Sequence, residues 1–436
     1  MATLPHDAMP ADGGMQAQGL LDRQAPLWPA MLVLYAILLP REIRLALGPL
    51  ELSPDRLALL AVLPWLLREL ARGVVQPVLC DRVVLAAGVW MIAAMVHHYG
   101  PWPGLERGGA AAFDLVTGYA LARVCLRSAA DLRTALLLFL PGVLLVGLVI
   151  LIEAASHRLL VHPAAEALFG TPPVFEAGQL EAYRSAQKTF RLGLLRAPGP
   201  FAHSIHAGLF LASFAALYGL ASFRGLARIV ANLIAPLAIF TVSAAAVLGL
   251  ILGYGLLLGE TLQRHVREIS WRLMIALAVA GAVVVELASN SGVIGLAARY
   301  LTFDPQTAFY RQLTWHHGLA SVHEHMVFGI GYADYVRPGW MVSPSVDAHW
   351  LVLAMRFGVV PALLLLAATA LALLRLAQAS TRAPAADAAL CRGLAMALFI
   401  IGLLMFTVHL WGGLNTWFTL LLGAGVTLGQ SWRTAA

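Results

Sequence analysis

Long runs of apolar residues, separated by short polar or basic connections, dominate the chain. Many of these runs reach the roughly 20 residues that an α-helix needs to cross a bilayer. The runs are continuous, whereas a half-buried strand alternates apolar and polar positions. The pattern therefore predicts an all-α polytopic membrane protein with about twelve transmembrane helices. The predicted spans are residues 27–45, 55–73, 82–98, 108–126, 132–153, 203–222, 226–241, 243–261, 270–289, 347–375, 390–409 and 413–430.

Two of the predicted boundaries depend on local features. The first span has the weakest pattern, because Arg41 and Arg44 interrupt its far end. The seventh and eighth spans form one apolar run of about 36 residues, which is too long for a single crossing. We therefore divide this run near Thr241–Ser243.

Composition supports the membrane assignment. Hydrophobic residues make up 60% of the chain and charged residues 12%, and the mean hydropathy is +0.78. A soluble domain averages about 25% charged residues, so this chain has too little polar surface to cover itself. The formal net charge is +6. Most basic residues lie in short connections, where they orient helices, so we expect no nucleic-acid partner.

The basic connections predict the orientation in the membrane. Alternation of the spans puts the basic segments on one side with the N-terminus, and the positive-inside rule makes that side cytoplasmic. Two longer connections, 154–202 and 290–346, then face the periplasm of a bacterial inner membrane. The basic segments are 68–72 with 81–82, 123–133, 224–228, 264–272, 375–392 and 433.

The predicted domain organisation has three parts. Residues 1–26 form a disordered cytoplasmic tail, residues 27–430 a single transmembrane domain, and residues 431–436 a cytoplasmic C-terminal tail. The N-terminal tail lacks the basic start and short apolar core of a cleavable signal. The three cysteines have no metal-like spacing, and we interpret them as free structural residues: Cys80, Cys125 and Cys391.

The first candidate site is the corner that precedes the sixth span. Arg191 and Arg196 lie shortly before a Pro-Gly-Pro turn, and a guanidinium fork holds phosphate oxygens in two places. The alternative is that both side chains reach to lipid head groups. His203 and His206 follow on one helical face, either as substrate contacts or as polar contacts between helices.

The second candidate site is the polar loop 290–346. Histidines at short spacings on a helix do not converge on one ion, and no cysteine or carboxylate cluster completes a ligand set. We therefore expect no metal and no cofactor. Arg299, His316 and His317 are candidate substrate contacts; the alternative is that the histidines are simply exposed polar residues. The arginines and histidines of the loop are Arg299, Arg311, His316, His317, His323 and His325.

The third candidate site lies at the mouth of the tenth predicted span, in the segment Asp347–Trp350. A neutral histidine accepts a proton from a sugar hydroxyl near pH 7, and a nearby carboxylate orients it. The alternative is a helix cap at Asp347 with His349 and Trp350 in an interfacial belt. Other ionisable residues inside the spans either line a cavity or pair between helices, and we favour pairing: Asp114, Glu286 and Arg356.

These segments, in this order, carry a family resemblance. An Arg-x-x-Gly-x-Phe corner precedes a helix, an arginine heads a large loop, and a histidine opens a helix with the sequence Arg-Phe-Gly-Val-Val-Pro. The chain resembles the superfamily of O-antigen ligases and of O-antigen and exopolysaccharide polymerases, over most of its length. The segments that carry the resemblance are Arg196–Phe201, Arg311, Phe328–Tyr332, His349 and Arg356–Pro361.

The resemblance implies a GT-C-like helical fold and an inverting, metal-independent glycosyltransferase. The implied donor is an oligosaccharide on undecaprenyl pyrophosphate at the periplasmic leaflet, and the acceptor is a glycan or lipid A-core. It implies catalytic roles for Arg196, Arg311 and His349, with other polysaccharide assembly proteins as further partners. The chemistry of these side chains agrees with the implied roles, because arginines neutralise a departing pyrophosphate without a metal.

The resemblance leaves the type of transferase open. Many relatives have His-Asn where this chain has His349-Trp350, and Asp347 precedes the histidine instead. His316, His317 or His323 therefore competes with His349 for the role of base. The phrase Ser345–Leu351 resembles exopolysaccharide polymerases, so we favour a polymerase over an O-antigen ligase. A transporter or flippase of lipid-linked sugars is the alternative from another class, although no paired halves are visible.

Overall fold

The computed structural model describes residues 26–47, 50–171, 190–266, 305–341 and 343–432, with isolated helical positions between 276 and 288. Nearly all of the predicted N-terminal tail and of the ninth predicted span lies outside the described residues. Glu286 and Arg299 also lie outside them.

The described part of the chain is mostly helical, as predicted. Its helices are α1 (Trp28–Ala36), α2 (Pro54–Ala71), α3 (Leu79–Tyr99), α4 (Pro101–Cys125), α5 (Ala129–Ser156), α6 (Val161–Phe169), α7 (Ser204–Gly219), α8 (Gly225–Ile234), α9 (Ala244–His265), α10 (Pro305–Glu324), α11 (His349–Phe357), α12 (Val359–Arg382), α13 (Ala385–Leu404) and α14 (Gly413–Ser431). Two short antiparallel strand pairs, which the sequence pattern did not predict, join β1 (Leu45–Leu47) to β2 (Leu50–Leu52) and β3 (Phe190–Arg191) to β4 (Leu194–Leu195).

Five described helices are long and apolar enough to cross a membrane: α3, α5, α9, α12 and α13. The segments Ser204–Gly219 and Gly225–Thr241 are apolar but shorter. These helices support the membrane assignment. The number of crossings in the whole chain stays a prediction.

The first predicted span is wrong in its extent. Helix α1 ends at Ala36, and the chain then turns through Pro40. Proline cannot donate the backbone hydrogen bond that would continue the helix. The residues that follow the helix pack against other segments. The Glu42 side chain, for example, is fully buried.

The break between the seventh and eighth predicted spans is confirmed. Helix α8 tightens into a 3-10 helix over Ala235–Thr241. Val242 then adopts a left-handed conformation (φ 48°), and Ser243 precedes α9. Two helices therefore occupy the run that was too long for one crossing.

The tenth predicted span is also wrong, because Gly358 divides it into α11 and α12. Gly358 has a φ of 85°, which is favourable only for glycine. A Cβ atom there would overlap the Val327 carbonyl group. Glycine thus lets a second segment of backbone approach the break closely.

The approaching segment is the turn Phe328–Tyr332. The Ile330 N–H donates to the Met355 carbonyl at 2.6 Å, and the Gly331 N–H donates to the Arg356 carbonyl at 3.1 Å. These bonds satisfy carbonyl groups that the end of α11 would otherwise leave without partners. Two motifs that are distant in sequence are therefore docked backbone to backbone.

An aromatic cluster in the core joins α5, α7 and α14. The rings of Phe214 and Trp417 stack with centroids 5.0 Å apart, and Phe139 and Phe210 pack against both. The indole N–H of Trp417 donates to the Ser213 hydroxyl at 3.0 Å. This buried indole thus has the partner that a polar group needs away from water.

Ion pairs connect the helices around this core. Arg56 on α2 holds the Asp114 carboxylate on α4 through Nε at 2.9 Å and Nη2 at 2.6 Å, as the pairing prediction expected. Arg123 holds Asp81 at 2.8 Å. The three cysteines are free and buried, as predicted.

Candidate functional site

Arg191 and Arg196 flank a tight hairpin at the predicted corner. Arg191 belongs to β3, and Arg196 follows β4 directly. The chain reverses at Leu192 and Gly193, which both have positive φ angles (55° and 77°). The reversal places the two guanidinium groups close enough to repel each other.

A buried carboxylate positions the corner that follows Arg196. Glu153 is fully buried at the end of α5. One of its oxygens accepts from the N–H groups of Leu160 (2.8 Å) and Val161 (3.2 Å), and the other accepts from the Gly199 N–H at 3.0 Å. Glu153 thus ties two segments of the loop 154–202 together.

His162 supports the same corner from α6. Its Nε2–H donates to the Phe201 carbonyl at 2.9 Å, and its Nδ1 lies 2.8 Å from the Glu42 carboxylate. Burial by itself lowers the pKa of His162, but the hydrogen bond and charge of Glu42 outweigh burial and raise it. Both partners are acceptors, so the folded structure favours the protonated form, which donates to both. We did not predict roles for Glu42, Glu153 or His162, because their partners are distant in sequence.

The structure brings Arg196 and Arg311 into one electrostatic group with Asp347. The Nε atoms of both arginines are buried and form no hydrogen bond within the described part of the chain. Burial and the charges of Arg191 and Arg311 lower the pKa of Arg196 to about 10. Burial also lowers the pKa of Arg311, against the opposing charge of Asp347. Two desolvated cations thus share one exposed carboxylate.

The histidines of α10 are not part of this group. His316 and His323 are exposed, and the rings of His316 and His317 contact each other with centroids 5.0 Å apart. None of these side chains lines either of the two cavities described below. The structure therefore offers no support for them as substrate contacts or as the base.

His203 and His206 differ in their contacts. His203 caps α7, with its Nδ1 accepting from the Ile205 N–H at 3.1 Å. The Nε2–H of His206 donates to the His409 carbonyl at 2.8 Å. His206 also packs edge-on against Trp411.

His349 opens α11, as predicted, but its expected neighbour Asp347 is not its partner. The Nδ1 of His349 accepts from the Leu410 N–H at 3.2 Å and lies 3.0 Å from the Nδ1 of His409. The backbone N–H of His349 donates to the Met405 carbonyl at 2.8 Å. His409 is a site residue that the sequence analysis missed. A lone histidine at the end of the eleventh predicted span was the available signal.

Two cavities meet at these histidines. The large cavity has a volume of about 1130 Å³ and reaches the Arg56–Asp114 pair. The small cavity has a volume of about 750 Å³ and reaches Asp347 and His203. We call the residues that line both cavities the shared wall. It consists of His206, Tyr332, Val352, Arg356, His409 and Trp411.

Arginines rest on tyrosine rings beside the shared wall. Arg356 lies over the ring of Tyr332, 4.9 Å from its centroid. Arg107 lies over the ring of Tyr99 at 4.1 Å, and the Tyr332 N–H donates to the Tyr99 hydroxyl at 2.6 Å. Aromatic faces and cations of this kind suit a polar, anionic ligand. Arg356 thus lines a cavity rather than pairing between helices.

Comparisons with known proteins do not assign the chain. No protein-family model matches it, and no curated protein is significantly similar to it. Among the described residues, no group of three or more His, Cys, Asp or Glu side chains has an arrangement suited to a metal ion.

Proposed function

We propose that the protein is a membrane glycosyltransferase that moves a glycan from a polyprenyl-pyrophosphate donor to a sugar hydroxyl. The observation that supports this proposal most directly is the shared wall. A transferase must hold two substrates beside each other, and two cavities of about 1130 and 750 Å³ meet at a wall of histidine and arginine. Histidine supplies acid–base chemistry and arginine binds phosphate.

The arginine group supports a pyrophosphate leaving group. Arg196 and Arg311 each have a buried Nε atom that meets no acceptor among the described residues, and a bound pyrophosphate would supply one. Neither arginine lines either cavity, but both interact with Asp347, which lines the small cavity. This interaction favours the small cavity for the head of the donor. Charge that develops on the departing pyrophosphate would then be neutralised by fixed cations.

The proposal includes the orientation of the site in the membrane and the product. The site faces the periplasm, and the enzyme inverts the anomeric carbon while polymerising repeat units of a surface polysaccharide. An O-antigen ligase, with lipid A-core as the acceptor, differs only in the molecule that enters the large cavity.

The test is incubation of purified protein with a polyprenyl-pyrophosphate-linked repeat unit, alone and then with lipid A-core. A ladder of products without lipid A-core identifies a polymerase, and a single product that requires it identifies a ligase. Movement of the lipid across a vesicle without a new glycosidic bond identifies a transporter and rejects the proposal.

Transfer is expected to survive chelation of divalent cations by EDTA, because arginines take the role that a metal has in other phosphate chemistry. The measurement is product yield before and after EDTA, with EDTA plus excess Mg²⁺ as the control. Loss of activity that Mg²⁺ restores would overturn the metal-independent mechanism.

A further inference from the structure

The contact between Leu410 and His349 fixes the position of a proton. A backbone N–H only donates, so the Nδ1 of His349 must accept the 3.2 Å hydrogen bond from Leu410. A neutral imidazole has one N–H group. The proton of His349 is therefore on Nε2, and Nδ1 carries a lone pair.

The second contact at the same nitrogen favours one tautomer of His409, in which two donors share the single lone pair of the His349 Nδ1. The two Nδ1 atoms are 3.0 Å apart, and the two rings are inclined by only 23°. Because His349 contributes a lone pair, this contact is a hydrogen bond only when Nδ1 of His409 carries the proton. The Nε2 of His409 then has a free lone pair.

The surroundings hold His409 in this orientation. Its carbonyl accepts from the Nε2–H of His206 at 2.8 Å, and its ring lies against that of His349. His409 belongs to the shared wall. Within the described residues no group donates to its Nε2. The Nε2 of His409 thus offers an unshared lone pair, on a ring that lines both cavities.

We infer that His409, rather than His349, accepts the proton of the acceptor hydroxyl, and that His349 is its positioning residue. This inference rests on the proposed function. The acceptor oxygen forms the new bond to the anomeric carbon, while the bond from that carbon to the pyrophosphate oxygen breaks. The hydroxyl proton moves to Nε2 of His409, and the electron pair leaves with the polyprenyl pyrophosphate. The proton then passes to solvent, which restores the neutral imidazole.

The arrangement changes the expected role of His349. Its Nε2 carries a proton and cannot accept another, and its Nδ1 already receives two donors. Its lone pair instead orients the N–H of His409, in the way that a third group orients the base of a catalytic triad. The resemblance implied His349 as the base, and the present inference moves that role to the neighbouring ring.

A pair of substitutions at one position separates the two roles. Asparagine places an acceptor oxygen close to the position of Nδ1, whereas glutamine reaches the position of Nε2. His349→Asn should therefore retain transfer within about tenfold of wild type, while His349→Gln and His409→Gln should each lose about 10²–10⁴-fold. His265→Asn, at an exposed histidine far from both cavities, is the matched control.

The assay uses the full-length protein in lipid nanodiscs with a polyprenyl-pyrophosphate-linked repeat unit, and it follows release of the polyprenyl pyrophosphate. Retained transfer in His349→Gln with loss in His349→Asn would overturn the inference, as would near-wild-type transfer in His409→Gln. A wild-type protein that forms no glycosidic bond would instead reject the proposed function.

A second measurement does not depend on activity. ¹⁵N NMR of wild-type protein labelled on histidine should show unprotonated Nδ1 in His349 and unprotonated Nε2 in His409, with the resonances assigned by His349→Asn and His409→Gln. A protonated Nε2 on neutral His409 would overturn the inference even if transfer is observed.

Discussion

Two groups of arginines in this protein have opposite surroundings. Arg56 and Arg123 meet carboxylates on neighbouring helices at 2.6 to 2.8 Å. Arg196 and Arg311 instead have buried Nε atoms that form no hydrogen bond with the described residues, and both interact with one exposed carboxylate, Asp347. The first group stabilises helix packing, whereas burial of the second group is opposed by Asp347 only in part.

The difference indicates where a ligand is needed. A buried cation without a full set of partners costs free energy in the folded state, and an anion that binds there recovers that cost. The paired arginines have no such need. Substitutions in the first group should therefore lower the stability of the protein, and substitutions in the second group should lower its activity.

The largest expected effect is on stability. Arg123→Met removes the cation that pairs with the Asp81 carboxylate. The uncompensated charge should lower the free energy of unfolding by about 3–5 kcal/mol. Transfer per folded molecule should not change. The measurement is thermal or denaturant unfolding in detergent, together with activity normalised to folded protein. Arg133→Met, which removes a more exposed pair with Asp387, is the control and should cost at most about 1 kcal/mol.

The next effect is on activity. Arg196→Ala and Arg311→Ala should each lower the transfer rate by about 10²–10³-fold, with no loss of stability, since each removes a charge that burial destabilises. Arg196→Lys and Arg311→Lys keep the charge but lose the fork, so they should recover only part of the rate. A wild-type yield from either alanine variant would contradict the role of the arginines in pyrophosphate binding.

A smaller effect is expected from a ligand alone. Inorganic pyrophosphate at 100 times its Kd should stabilise the wild-type protein by about 2.7 kcal/mol. Thermal unfolding with and without pyrophosphate measures the shift. The shift should disappear in Arg196→Ala and persist in Arg123→Met, and the opposite pattern would break the comparison between the two groups.

The smallest effect is a pH dependence of the corner. The folded state raises the pKa of His162, mainly through Glu42 once the opposing effect of burial is overcome. Its stabilisation is therefore complete below the unfolded pKa of about 6.5 and is lost as pH rises through the higher folded pKa. Unfolding measured across this range should show a decline that His162→Gln abolishes. An unchanged decline in the variant would assign it to another group.

Sequence pattern predicted the helical class and most helix positions, because long apolar runs have few alternatives in a membrane. It also identified the segments that carry Arg196, Arg311 and His349. The break at Gly358 could not be predicted, since a glycine in an apolar run is compatible with a continuous helix. The backbone of Met326 and Val327 occupies the space beside Gly358, and the turn Phe328–Tyr332 that follows bonds the end of α11.

The proton arrangement in the histidine cluster could not be predicted either. His349 and His409 are 60 residues apart, and no spacing rule connects them. The tautomer of each depends on one backbone N–H, that of Leu410. Sequence therefore locates the candidate segments, while the structure shows which of their residues meet.

The short helix α11 has a consequence for the surrounding bilayer. At about 1.5 Å per residue, its nine residues extend only about half of the roughly 30 Å hydrocarbon thickness. Non-helical backbone at that depth is tolerated only inside protein or beside water. Gly358 is buried, and the docked turn Phe328–Tyr332 bonds the carbonyl groups at the end of α11. Helix α11 therefore ends without exposing its backbone to lipid, and the same docking places Tyr332 and Arg356 of the shared wall beside the break.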